Sequence, residues 1–237
     1  MIIDSHCHLT KNFFENPAEI IENAKRAGVE KLICIGTTLA DSQEAIDLAQ
    51  KFDNVFATVG IHPEENCGNW EAFEKLITKP KVVGIGETGL DNKIGKPGQK
   101  EVFEKQILLA KKYNKPLVIH VRDAWADIKK INLSGCRGVF HCYSGPAEIP
   151  NNFYVSFAGN VTFRNAKELQ SLAKNIPLEK ILLETDSPFL APDPLRGSKN
   201  EPKNVKIIAE YLAKLKNISF EEISKITSNN TLKLFNL

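Results

Sequence analysis

The sequence predicts an α/β fold, a single (β/α)8 TIM barrel covering residues 1–237. Three observations carry that expectation. Eight short β-rich apolar runs alternate with amphipathic stretches, the pattern of parallel strands joined by crossover helices. A chain of 237 residues with 42% apolar content holds one large core. All five histidines, His6, His8, His62, His120 and His141, fall at or just beyond the carboxyl end of a run, and barrels assemble their sites on that rim.

Taken in order, the runs are IIDSH (2–6), KLICIG (31–36), VFATVG (55–60), VVGIGE (82–87), LVIHV (117–121), GVFHC (138–142), FYVSFAG (153–159) and KILLET (180–185). Helical periodicity fills the gaps at 17–27, 41–52, 70–78, 99–113 and 167–175, and two more helices at 202–216 and 220–235 close the chain. Asn16-Pro17 and Asp41-Ser42 read as helix starts, and Ala27-Gly28 reads as a stop. Pro146–Pro150 offers barely one turn, so the sixth crossover is expected to be abbreviated or irregular. The sequence contains no repeat, linker or low-complexity segment.

Composition narrows the function classes. A net charge of +2 is too small to indicate nucleic acid by itself, so any charge argument must be local. Five scattered cysteines, never spaced C-x-x-C, fit neither a disulfide framework nor a zinc knuckle and read as buried reduced thiols. No apolar run approaches the roughly 18 residues of a membrane span, and MIIDSHCHL lacks the layout of a signal peptide. The expectation is a cytoplasmic protein with no membrane association and no obligate protein partner.

The rim residues carry the chemistry. His6 and His8 sit two apart on a strand, so both imidazoles point to the barrel axis while Cys7 faces the helices. For that pair alone, two hydrogen-bonded structural histidines are the plain alternative. Glu87 ends a buried strand, where a carboxylate needs a cation or strong donors. Its two oxygens can bridge two metal ions, with His6, His8 and Asp186 completing one site and His120 and His141 the other. An ion pair with Arg122 is the competing role for Glu87. Imidazole and carboxylate without cysteine suit Zn, Mn, Ni or Fe, and admit Mg where water and phosphate oxygens complete the shell.

Seven segments in order, DSHCHL (4–9), GIHPE (60–64), GETGLD (86–91), KPLVIHVRDA (115–124), FHCYSG (140–145), LLETDSPFLAP (182–192) and RGSKNEP (196–202), make the chain resemble the TatD family of metal-dependent deoxyribonucleases, a branch of the amidohydrolase-like barrels. The resemblance spans nearly the whole chain. It implies two divalent metal ions, Mg, Mn or Zn, bound by His6, His8, Glu87, His120, His141 and Asp186. It further implies that catalytic Glu87 bridges the two metals, that Asp186 takes a proton from water, and that His62 lies beside the substrate phosphate. The implied reaction is hydrolysis of phosphodiester bonds in DNA, as an exonuclease on single strands, by attack of a metal-activated hydroxide. Capping or packing before Pro63 is the other reading of His62.

This sequence departs from the family pattern after GETGLD, where relatives carry aromatics and a longer segment but Asp91 is followed here by NKIGKPGQ. Lys93, Lys96 and Lys100 of that loop can hold a nucleic-acid backbone or lie solvated. Arg122, two residues past His120, can grip a phosphate oxygen or orient a ligand carboxylate. Arg164 and Arg196, with Lys199, lie in the loops after the seventh and eighth strands, where barrels often hold phosphate, and plain solvent exposure is their alternative. Trp125, Tyr143, Phe163 and Phe189 lie near the rim and can stack bases or pack the wall. Two rival functions remain: an esterase or amidohydrolase, for example on aminoacyl-tRNA or a small ester, and a metal-stabilised binding protein without turnover.

Overall fold

A computed structural model describes all 237 residues. Eight parallel strands, β1 (Ile3–Cys7), β2 (Lys31–Cys34), β3 (Val55–Val59), β4 (Val82–Asp91), β5 (Leu117–Arg122), β6 (Gly138–Phe140), β7 (Phe153–Phe157) and β8 (Ile181–Leu183), pair in chain order. The ends of the sheet meet, because His8 donates its backbone N–H to Ser187 at 2.8 Å and Asp186 donates to His6 at 2.9 Å. The architecture is therefore the expected TIM barrel. No helix is long and apolar enough to cross a membrane.

Helices α1 (Pro17–Arg26), α2 (Leu39–Lys51), α3 (Trp70–Ile77) and α4 (Gln99–Lys112) cover the first half. The Asn16 side chain caps α1, with Pro17 preset for the first turn, and the chain leaves that helix through Gly28 at φ 86°. The start of α2 corrects the sequence reading. Thr38, not Asp41, is its cap: Thr38 Oγ1 accepts from the Asp41 N–H at 3.1 Å, while the Asp41 carboxylate is taken up by Thr10 and Thr37.

The second half holds α5 (Trp125–Ile128), one turn that the sequence pattern did not reveal, then α6 (Lys167–Asn175), α7 (Val205–Lys216) and α8 (Phe220–Phe235). Between β6 and β7 there is no helix, so the sixth crossover is irregular. A core of 48 buried residues lies mostly between the strands and the helices. Inside the barrel a smaller apolar cluster, including Ile33, Val83, Val118, Val139 and Leu182, is joined from α8 by Leu234 and Phe235. Truncating Phe235 to alanine would cost about 3–5 kcal/mol.

Candidate metal centre

Strand alternation lifts the site off that apolar floor. Two residues past Val118, Val139 and Leu182, and so on the same inward face, come His120, His141 and Glu184. Glu87 and the β1 histidines arrive by a different device. From Ile85 to Thr88 three residues of β4 pass beside two of β5, and from Asp4 to Cys7 three residues of β1 pass beside two of β2. Each is a one-residue bulge, a distortion that re-aims side chains. Beside the first one, Gly60 and Gly86 let backbones approach closely: a Cβ at Gly60 would collide with the Gly86–Glu87 peptide, and one at Gly86 with the Val118 carbonyl.

The two oxygens of Glu87 face two different sets of nitrogens. Oε2 lies 3.4 Å from His6 Nε2 and 3.7 Å from His8 Nε2. Oε1 lies 2.8 Å from both His120 Nδ1 and His141 Nε2, and 3.4 Å from His62 Nε2. Asp186 Oδ1 joins the first set only, 3.6 Å from His6 and 3.5 Å from His8. Asp186 occupies the left-handed region at φ 55°, an uncommon conformation for a residue with a side chain. The alternative Glu87–Arg122 ion pair does not form, since Arg122 is exposed at the end of β5 while Glu87 is buried among histidines.

Electrostatics follows from this crowding. Burial pushes the Glu87 carboxyl up, but His141, His62 and His120 outweigh it and hold the group well below the usual carboxylate range. Burial likewise opposes ionisation of Asp186, and His8 and His6 overcome it. Burial and the neighbouring His141 lower His6, whereas Glu87 and Glu184 outweigh burial and raise His141. Both inner carboxylates are thus ionised, the state that binds cations.

Two supporting carboxylates escaped the sequence reading. Glu184, fully buried, accepts from the Cys142 N–H and the Ser156 hydroxyl, both at 2.6 Å, and its oxygens stand 4.0 Å from His6 Nδ1 and 3.7 Å from His141 Nδ1. Asp91 Oδ2 meets His120 Nε2 at 3.2 Å, while its Oδ1 accepts from the N–H groups of Lys93 and Ile94. Strand period was the available signal for Glu184, which lies two residues past the inward-facing Leu182.

The remaining candidates divide sharply. His62 is partly buried at the rim, and its Nδ1 accepts from the Glu64 N–H at 3.2 Å, which leaves the hydrogen on Nε2. Arg164 and Arg196 are exposed, with the Arg196 guanidinium 4.2 Å from the Phe163 ring centre. In the lysine loop Lys96 donates to the Glu64 carbonyl and Lys100 lies 3.8 Å from Glu104. Trp125 and Tyr143 pack against each other and against Phe140 as wall residues, whereas Phe189 is 50% exposed.

The donor set fits divalent cations. His6 Nε2 and His8 Nε2 face each other at 3.3 Å, and the same is true of His120 Nδ1 and His141 Nε2 at 3.1 Å, with a carboxylate oxygen beside each pair. Three groups have ligand atoms within 4.8 Å of one another: His6, His8 and Glu87; His62, Glu87 and His120; and His6, His141 and Glu184, which joins the two halves.

The profile of the family described as TatD related DNase matches residues 3–236. The chain belongs to the TatD family. Among its TatD-family relatives, the uncharacterized metal-dependent hydrolase YabD of Bacillus subtilis is 40% identical, covering 100% of both chains. The uncharacterized metal-dependent hydrolase YcfH of Escherichia coli is 36% identical over 100% of this chain and 96% of its own. Among solved structures, the TatD homologue YjjV of Escherichia coli superposes with a TM-score of 0.89 at 27% identity, covering 100% of this chain and 98% of that one. This TatD-family chain is a metal-dependent hydrolase.

Proposed function

We propose that this TatD-family hydrolase cleaves phosphodiester bonds in nucleic acid, as a DNA exonuclease working on single strands with two divalent cations, Mg, Mn or Zn. The observation that carries the reading is the division of Glu87, one oxygen toward His6 and His8 and the other toward His120 and His141. A family described as TatD related DNase supports the choice of bond. When bound, such cations lower the pKa of water and neutralise charge on the attacked phosphate and the leaving oxygen.

The chain's own residues do the rest. His6, His8, Glu87, His120, His141 and Asp186 hold the centre, and Asp186, ionised at its edge, accepts the proton of the attacking water. His62, with its hydrogen on Nε2, donates to a non-bridging phosphate oxygen. Arg122, Arg164 and Arg196, all exposed, hold neighbouring phosphates, contacts that carry little sequence preference. Five free thiols fit a reducing compartment, and the proposal includes a cytoplasmic location.

Metal-stripped protein refilled with Mg, Mn or Zn and given end-labelled single-stranded DNA tests the reading. Stepwise shortening that Glu87→Ala abolishes together with bound metal is the expected result. DNA left intact under every metal, with turnover of an ester or aminoacyl substrate, would replace the nuclease by an esterase on the same barrel.

A further inference from the structure

The mouth of the barrel is not uniform around the metal centre. On the β4 side two of the lysines are engaged by local acceptors, Lys96 by the Glu64 carbonyl and Lys130 by Asp127 at 2.8 Å. On the side of β1 and β8 the surface is aromatic. Phe13 lies 4.9 Å from His8 between ring centres, and Phe189 lies edge-on to both rings, 5.9 Å from Phe13 and 6.0 Å from His8. Phe189 is half exposed, so one flank of an aromatic ring faces solvent directly beside a histidine of the centre.

The backbone beneath that ring is pinned. Phe189 donates its N–H to the Asp186 carbonyl at 2.8 Å. Asn200, fully buried, donates its side-chain amide to the carbonyls of Phe189 at 2.8 Å and Thr185 at 3.0 Å. A loose loop tip would let an apolar ring turn inward, whereas these bonds tie Phe189 to the segment that carries Asp186. The same loop carries two exposed cations, Arg196 over the Phe163 ring and Lys199 with its ammonium 4.4 Å from the Phe14 ring centre. A fixed, half-exposed aromatic ring beside the metal centre matches an unpaired nucleotide, whose base stacks while its phosphate meets the centre.

We infer that Phe189, backed by Phe13, is a stacking platform for the base of the nucleotide adjoining the attacked phosphate. This rests on the phosphodiesterase reading above and adds the element that recognises the base. Stacking is indifferent to base identity, so the platform selects single strands over duplexes without selecting a sequence.

The test compares a single-stranded oligonucleotide with the same strand carrying an abasic residue at its end, cleaved by wild type, Phe189→Ala, Phe189→Tyr and, as a control on α4, Leu108→Ala. Wild type and Leu108→Ala are expected to favour the base-bearing end roughly tenfold, Phe189→Tyr to retain most of that ratio, and Phe189→Ala to bring it near one. Equal rates on the two ends in wild type would overturn the platform and leave the phosphodiesterase reading standing.

A second readout needs no turnover. An oligonucleotide ending in 2-aminopurine, titrated with metal-stripped protein, should lose fluorescence with wild type and far less with Phe189→Ala. If no metal supports cleavage of either strand, the nuclease reading fails and this titration alone decides the platform, absence of quenching in wild type overturning it.

Discussion

Glu184 Oε1 stands 3.7 Å from Nδ1 of His141, just beyond hydrogen-bond reach, and both groups are buried. The other oxygen of the same carboxylate approaches His6 Nδ1 at 4.0 Å. One buried carboxyl group thus backs a histidine from each half of the centre, and neither Nδ1 has a hydrogen-bond partner. Carboxylates in this position set ring orientation and raise the basicity of the opposite nitrogen.

Replacing Glu184 with glutamine should weaken divalent metal binding about 10–100-fold while leaving the ligand list intact. Competition with a fluorescent chelator measures this directly. Unchanged affinity in a folded Glu184→Gln protein would reduce the residue to a tie between Ser156 and the Cys142 backbone.

Gly60 offers a test of the bulge in β4. An added methyl meets the Gly86–Glu87 peptide with no flexible side chain to yield. Gly60→Ala should lower stability by about 1–3 kcal/mol through overpacking and reduce bound metal by displacing Glu87. Denaturant unfolding and elemental analysis of the purified protein provide the two numbers, and a variant matching wild type in both would show that the strands can spread there.

A pH effect is expected far from the centre. Hydrogen bonds from Lys112 and Tyr113 hold the Glu74 carboxyl below its ordinary 4.5. A depressed folded-state pKa contributes stability that is present above the unfolded value and is lost as pH falls through the folded one. Melting temperatures of wild type and Glu74→Gln should therefore differ at neutral pH and converge only as pH falls below the ordinary carboxylate range, through the depressed folded-state value. A gap that persists in acid would mean that shape, not charge, separates them.

Much of this architecture was legible because it repeats. Eight β-rich runs and a period of two were enough to place His6, His8, His120, His141 and Asp186 on one rim, and the structure brings them around Glu87. What escaped depends on partners distant in sequence. Asp41 has the chemistry of a helix cap, but Thr10 and Thr37 claim its carboxylate, so the helix begins earlier at Thr38. β4 runs on to Asp91 because Thr88 to Asp91 pair with Ile119 to Arg122, which a glycine-containing stretch does not announce. Glu184 continues the inward face of Leu182 but was hidden by reading the carboxylates only as ligands.

The seam between β1 and β8 also bears on synthesis. The first strand emerges from the ribosome about 180 residues before the segment that pairs with it, and Phe235, which plugs the floor, emerges later still. Until then the nascent chain carries an open strand edge that any other β-segment can join. The same contacts that seal the finished barrel therefore leave its earliest strand unprotected for most of translation, when shielding by a chaperone would be of most use.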